Sequence, residues 1–128
     1  MTNETCLFCD WANQEKHRII LENDFGYARW DNFPVSPGHL EIVPKTHVAS
    51  FFDLSEKQLV ELFWLLKEAR RVIEEKYHPD SYNIGINDGK AAGQTIRHLH
   101  LHLIPRYQGD VEDPRGGIRN VIPGKGKY

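Results

Sequence analysis

Apolar and polar residues along the chain fall into short alternating stretches, one long stretch of helical period, and turn-rich joints between them. Arg18 to Glu22, the turn pair Asn23-Asp24 and Phe25 to Trp30 read as strand, turn and strand, a hairpin. Asn32 to Gly38, with two prolines and a glycine, forms a further turn. His39 to Val43 then alternates as a third strand that stops at Pro44. Ser55 and Gln58 have capping-box spacing, and Leu59, Leu62, Phe63, Leu66, Ala69 and Ile73 recur at steps of three and four as an apolar packing stripe. The helix is expected from about Ser55 to about Tyr77, because Pro79 cannot continue it and restricts the residue before it. Tyr82 to Asn87 reads as a strand, Asp88 to Gly93 as a loop, and Thr95 to Ile104 as the last strand. Hairpin-joined strands and one long central helix predict an α+β fold with a mainly antiparallel sheet, the helix covering one face.

Composition narrows the classes. The 128 residues, 40% hydrophobic and 27% charged, suit one globular domain spanning 1–128, with no repeat or linker to divide it. Sixteen Lys+Arg against 18 Asp+Glu argue against a broadly basic, nucleic-acid-binding surface. The N-terminal MTNETC lacks the flank of a signal peptide and no apolar run is long enough to span a membrane, so a cytoplasmic location is expected. Cys6 and Cys9, spaced C-x-x-C, are either metal ligands or a redox pair; the strand and helix context of a thioredoxin-like site is missing, which favours metal.

Seven histidines are many for this length, and three alternate with aliphatic residues in His98-Leu99-His100-Leu101-His102-Leu103-Ile104. On a strand this places the imidazoles on one face and the leucines on the other. Residues two apart lie about 6 to 7 Å apart, so His98 and His102 are about 13 Å apart at their α-carbons and one metal does not gather all three. The spacing favours separate duties.

The segment His98 to Ile104 resembles the His-x-His-x-His-x-x signature of the histidine-triad family. The likeness continues through Asn87-Asp88-Gly89, Ala92-Gly93-Gln94-Thr95, Pro37-Gly38-His39 and Val43-Pro44-Lys45-Thr46-His47, covering most of Cys6 to Arg106. It implies that fold, with an additional short N-terminal helix, and a homodimeric nucleotide hydrolase or transferase acting on dinucleoside polyphosphates such as diadenosine tetraphosphate, or on nucleotide phosphoramidates. The middle histidine, His100, would be the nucleophile and carry a covalent nucleotidyl group. His102 and His39 fall on positions that donate hydrogen bonds to phosphate or leaving group, and Asn87 on a contact to either. His39 and Asn87 are also ordinary turn residues. Asp31 matches the acceptor of a ribose hydroxyl pair. The loop Gly89 to Thr95 can present backbone N–H groups, the Gln94 amide and the Thr95 hydroxyl to phosphate. Leu7, Phe8 and Trp30 wall the base or pack the core.

Some members of the family hold zinc through such a C-x-x-C and two histidines, here His47 and His98. Cys6, Cys9, His47 and His98 would then form a closed, structural tetrahedral site. His17 and His78 read as solvent-exposed turn residues. The tail, about 107–128, favours turns over regular structure, and the polyphosphate reading for it rests on Arg115, Arg119 and Lys125. Two other functions use the same residues: a zinc-stabilised nucleotide-binding module with little turnover, and a phosphorylase in which inorganic phosphate replaces water.

Overall fold

The computed structural model describes residues 6–10 and 18–127. The strands are β1 (Ile19–Glu22), β2 (Gly26–Trp30), β3 (Leu40–Pro44), β4 (Ser81–Ile86) and β5 (Leu101–Arg106), with one α-helix among the described residues, α1 (Glu56–Tyr77). All pairings are antiparallel and the sheet order is β1-β2-β3-β5-β4, so β5 inserts between β3 and the edge strand β4. This is the expected α+β architecture. The short N-terminal helix falls on a segment of which residues 1–5 and 11–17 lie outside the described residues, as does His17; Cys6 to Asp10 form a turn.

The β1–β2 hairpin turns where Asn23 Oδ1 accepts from the N–H groups of Phe25 and Gly26, both at 2.9 Å. Gly26 is required by proximity: a Cβ there would meet the Val43 carbonyl oxygen of β3. Helix α1 starts at the predicted box, Ser55 Oγ accepting from Gln58 N–H (3.2 Å) and Gln58 Oε1 from Ser55 N–H (2.9 Å). It ends at His78, exposed, in the left-handed conformation with φ 53° ahead of Pro79.

Leu62, Leu65, Ala69 and Ile73 are fully buried and pack with Ala28, Leu40, Ile42, Leu101 and Leu103. Leu65 replaces Phe63 in the expected stripe. A 3, 4, 4 spacing from Leu62 keeps a narrow face against the sheet, and Phe63, one residue on, is turned about 100° away and is half exposed.

The last strand is shorter than expected. It begins at Leu101, and residues 95–100 approach it as bends and extended chain, tied by Leu99 N–H to the Val48 carbonyl (2.7 Å). Of the three triad histidines only His102 is a strand residue, so the expectation of three imidazoles on one regular strand face is corrected. The tail also holds more order than expected, with a 3-10 turn at Gly117–Val121 packed near β4. Arg106 anchors its start, donating to Asp110 and to Asn83 Oδ1 (2.6 Å).

Candidate active site

The sheet has two faces of different chemistry. Toward α1 point Ala28, Leu40, Ile42, Leu101 and Leu103; away from it point Tyr27, Arg29, Glu41, Val43 and His102. The turn Cys6 to Asp10 lies against this second face, held by Tyr27 OH donating to the Phe8 carbonyl (2.7 Å). Phe8 is buried, with its ring 4.8 Å from that of His100 and 5.9 Å from that of His98.

His98 and His100, two residues apart, have opposite hydrogen-bond polarity. His98 Nε2–H donates to the Pro44 carbonyl (2.7 Å), leaving Nδ1 without a proton. His100 Nδ1–H donates to the His98 carbonyl (2.9 Å), leaving Nε2 with the lone pair. Burial lowers both pKa values below the ordinary histidine value, so both rings are neutral at pH 7.

Beside His100 a second relay sets the remaining protons. Val35 N–H donates to His39 Nδ1 (3.2 Å), so His39 carries its proton on Nε2 and donates it to His102 Nδ1 (2.9 Å). His102 therefore bears its proton on Nε2, free to donate. Burial, with the neighbouring His100 and His39, pushes the His102 pKa down to about 4, and burial lowers that of His39. Asp31 Oδ2 stands 3.5 Å from His39 Nε2 and 3.9 Å from His102 Nδ1, while Asp31 Oδ1 accepts from Phe33 N–H (2.7 Å).

The loop residues divide. Gln94 is spent on structure, its Oε1 accepting from Gly89 N–H (2.9 Å) and its Nε2 donating to the Ala49 carbonyl (3.0 Å). Thr95 is exposed in a cleft of about 830 Å³ shared with Ser50, Asp53, Asp88, Lys90 and Arg97. Asn87 is exposed just past the end of β4. Trp30 lies on the α1 side of the sheet, edge-on to Tyr77 at 5.8 Å, which decides for core packing over a wall of a base site: strand alternation points it away from His102. Leu7 is largely exposed.

Cys6, Cys9, His47 and His98 converge as a separate cluster. Cys6 Sγ is 3.3 Å from His98 Nδ1, Cys9 Sγ 3.1 Å from His47 Nδ1, and the two Nδ1 atoms are 3.3 Å apart. Tetrahedral zinc with ordinary bond lengths spaces such donors about 3.4 to 3.8 Å apart. His98 is held as a metal-bound histidine is, with its Nε2–H tied to the Pro44 carbonyl and its bare Nδ1 turned to the cluster. Burial and the adjacent Cys6 push the Cys9 thiol up to about 11, so a cation is what would hold it as thiolate. The donor set fits a closed zinc site.

Sequence reasoning missed Arg29, Asn32, Glu41, Lys90 and Arg97. Charged residues at alternate positions of otherwise apolar strands, Arg29 within Tyr27-Ala28-Arg29-Trp30 and Glu41 within Leu40-Glu41-Ile42, were the available signal. In the tail, Arg115 is engaged by Asp113 (2.9 Å) and Lys125 is exposed.

The HIT domain pattern matches residues 12–109, and the chain belongs to the HIT family. It is 36% identical over 118 residues to a HIT-like protein of Methanocaldococcus jannaschii, covering 91% of each chain. It is 33% identical to the bis(5'-adenosyl)-triphosphatase of Dictyostelium discoideum over 85% of this chain and 72% of that one. The crystal structure of a zinc-bound histidine triad family protein from Mycobacterium smegmatis superposes with a TM-score of 0.76 at 33% identity, covering 85% of this chain and 80% of the other.

Proposed function

We propose that the protein is a nucleotide hydrolase that cleaves dinucleoside polyphosphates of the diadenosine tetraphosphate type, or nucleotide phosphoramidates, through a nucleotidyl group on His100. The observation that carries this reading is the hydrogen bond from His100 Nδ1 to the His98 carbonyl, which leaves the Nε2 lone pair of a neutral, half-buried ring as nucleophile. Nε2 bonds to phosphorus as the bond from phosphorus to the leaving oxygen or nitrogen breaks. The His98 carbonyl stabilises the positive charge that grows on the ring. His102 Nε2–H and the His39 proton behind it donate toward phosphate or leaving group, and Asp31 accepts from the ribose hydroxyls. Water then attacks phosphorus, the N–P bond breaks, and His100 recovers its lone pair, with net retention at phosphorus. Asn87 and the Thr95 hydroxyl contact phosphate or leaving group, while Gln94 shapes the loop.

Zinc on Cys6, Cys9, His47 and His98 is structural in this reading, pinning the N-terminal turn beside the triad and holding His98 away from chemistry. The zinc-bound relative and the Cys2His2 donor geometry support it. A homodimer is supported by Val60, Phe63 and Trp64, exposed at steps of three and one on α1 next to exposed Phe52.

The test incubates the protein with diadenosine tetraphosphate and, separately, with a nucleotide phosphoramidate, and seeks, by mass spectrometry of quenched samples, an added nucleoside monophosphate on His100. His100→Ala is the control. Product analysis with and without inorganic phosphate separates hydrolase from phosphorylase. Absence of any adduct or product from folded wild-type protein on both substrate types would overturn the reading.

A further inference from the structure

The histidine face carries a buried polar row, two members of which, Arg29 and Glu41, nucleotidyl transfer does not use. Arg29, Glu41 and His102 are direct register partners on β2, β3 and β5, so their side chains leave the sheet side by side, one strand spacing of about 5 Å apart. Arg29 is 3% exposed and Glu41 7%. Among the described residues the guanidinium makes one hydrogen bond, from Nη2 to Asn32 Oδ1 (2.7 Å), and Nε and Nη1 meet no acceptor. Glu41 Oε1 is 3.8 Å from Nε, beyond hydrogen-bond reach. Glu41 instead comes within 4.8 Å of ring nitrogens of both His100 and His102. Burial and the Asp31 carboxylate push its pKa up to about 8, so at neutral pH it carries a proton and both donates and accepts.

A purely structural buried arginine is surrounded by its acceptors, because an unmade hydrogen bond inside a protein is costly and rare. This row is an unfinished set of donors and acceptors. One end is His102, next to the attacked phosphorus. Asp31, read as the ribose acceptor, borders it, and Asn32 follows directly in the chain. The other end, Arg29, lies about two strand spacings, or roughly 10 Å, from His102. A nucleoside whose phosphate is at His100 and whose ribose is at Asp31 reaches that far with its base. Phe8 flanks the same path, its ring 5.8 Å from Arg29 Cζ and 4.8 Å from the His100 ring, so it turns or stacks as the nucleotide enters.

We propose that Arg29 and Glu41 select the base of the nucleotide, favouring an oxo-bearing base, guanine foremost, over adenine. The proposal rests on the nucleotidyl-histidine reading of the site. Arginine only donates, and its open Nη1 together with the second hydrogen of Nη2 forms a fork that calls for an edge rich in acceptors, which guanine offers as O6 and N7 side by side. Glu41 complements it by accepting from the N–H next to that carbonyl. Adenine places an amino group where O6 stands, setting N–H against N–H at the guanidinium, and this mismatch does the discriminating.

The test titrates GMP and AMP calorimetrically into wild type, Arg29→Met and Glu41→Gln, and compares kcat/KM for diguanosine and diadenosine tetraphosphate. Wild type is expected to bind GMP and to turn over the guanosine substrate about tenfold better or more, the discrimination one well-made arginine–guanine contact gives. Arg29→Met should bring the ratio to within about twofold by weakening GMP and sparing AMP, and Glu41→Gln should lower it in part. The wild-type ratio needs no variant, so a variant that unfolds does not shield the proposal. Equal or tighter binding of AMP by wild type, no binding of either nucleotide, or an unchanged ratio in folded Arg29→Met overturns it. If neither dinucleotide leaves an adduct on His100, the hydrolase reading falls, and the GMP to AMP binding ratio still decides the base claim by itself.

Discussion

Two clusters built from the same side chain sit a few ångströms apart and are set for different chemistry. In the corner of Cys6, Cys9, His47 and His98, sulfurs and Nδ1 atoms lie 3.1 to 3.4 Å from one another, so four donor atoms of the kind that hold zinc converge on one point. In the corner of His39, His100 and His102, the backbone and the rings supply a proton for nearly every lone pair, and one electron pair, on His100 Nε2, remains for an electrophile. The switch between the two is which ring nitrogen a backbone carbonyl takes. Pro44 takes Nε2 of His98, and His98 itself takes Nδ1 of His100. The imidazole is constant, and its orientation against a carbonyl decides which nitrogen keeps its lone pair, Nδ1 beside the cysteines in His98 and Nε2 in His100.

The comparison can be broken most sharply at its nucleophile. His100→Ala should lower turnover by about four orders of magnitude or more, the scale on which loss of a covalent nucleophile is felt, with the metal content and Tm little changed. A variant that keeps even a tenth of the activity would place the electron pair that matters elsewhere. Steady-state assay, elemental analysis and a melting curve on one preparation decide it.

Cys9→Ser, or prolonged chelation of the wild type, probes the other corner. Zinc should be lost and Tm should fall by about 10 °C or more, since loss of a structural metal is among the large destabilising changes. An unchanged melting curve in material shown to contain zinc beforehand would deny the corner its structural role. Activity should fall less than in His100→Ala, through displacement of the Phe8 turn.

A pH series separates the histidine relay from Glu41. The His102 and His39 rings are held neutral below the ordinary value of 6.5, so as pH falls the unfolded chain takes up protons first. The contribution of His102 is complete above about pH 6.5 and is lost between there and about 4, and that of His39 changes in the same direction. Glu41, pushed up to about 8, has the opposite sign: its contribution is full below about 4.5 and is lost as pH rises through 8. Between pH 6.5 and 8 the wild type should therefore lose about 1 to 2 kcal/mol that Glu41→Gln does not lose. Parallel denaturant titrations of the two proteins check this, and identical slopes would contradict the burial assigned to Glu41.

The smallest effect is expected outside both corners. Gln94→Ala removes the braces to Gly89 and Ala49 at a cost of about 1 to 2 kcal/mol, and should raise KM several-fold with kcat nearly kept. A fall in kcat with KM intact would mean the amide acts on the reacting phosphate directly.

Much of the fold was legible because it is local. The cap pair Ser55 and Gln58, the stop before Pro79 and the Asn23 turn are each decided by a few neighbouring residues, and each stands where the pattern put it. The stripe on α1 was off by one position, since three-residue and four-residue steps admit both Phe63 and Leu65 until the sheet chooses a face. The extent of the last strand was overestimated because alternation at His98 to Leu101 persists after the pairing partners have ended: β3 meets β5 only at Leu101 to Leu103. Arg29 and Glu41 escaped notice for a related reason. Alternation assigns charged strand residues to water, and nothing local reveals that the Cys6 to Asp10 turn folds back and helps bury them.

The chain's own order of residues settled which groups are available: three histidines two apart, a C-x-x-C, a capped helix and the apolar positions that bury it. These follow from periodicity and covalent spacing, which act over a few residues. Which histidine keeps its lone pair, which one faces sulfur, and which charges are enclosed depend on carbonyls and side chains distant in sequence, such as Pro44 beside His98 and Asp31 beside His102. Tautomer, burial and pKa are properties of those encounters, and only the folded sheet brings them about.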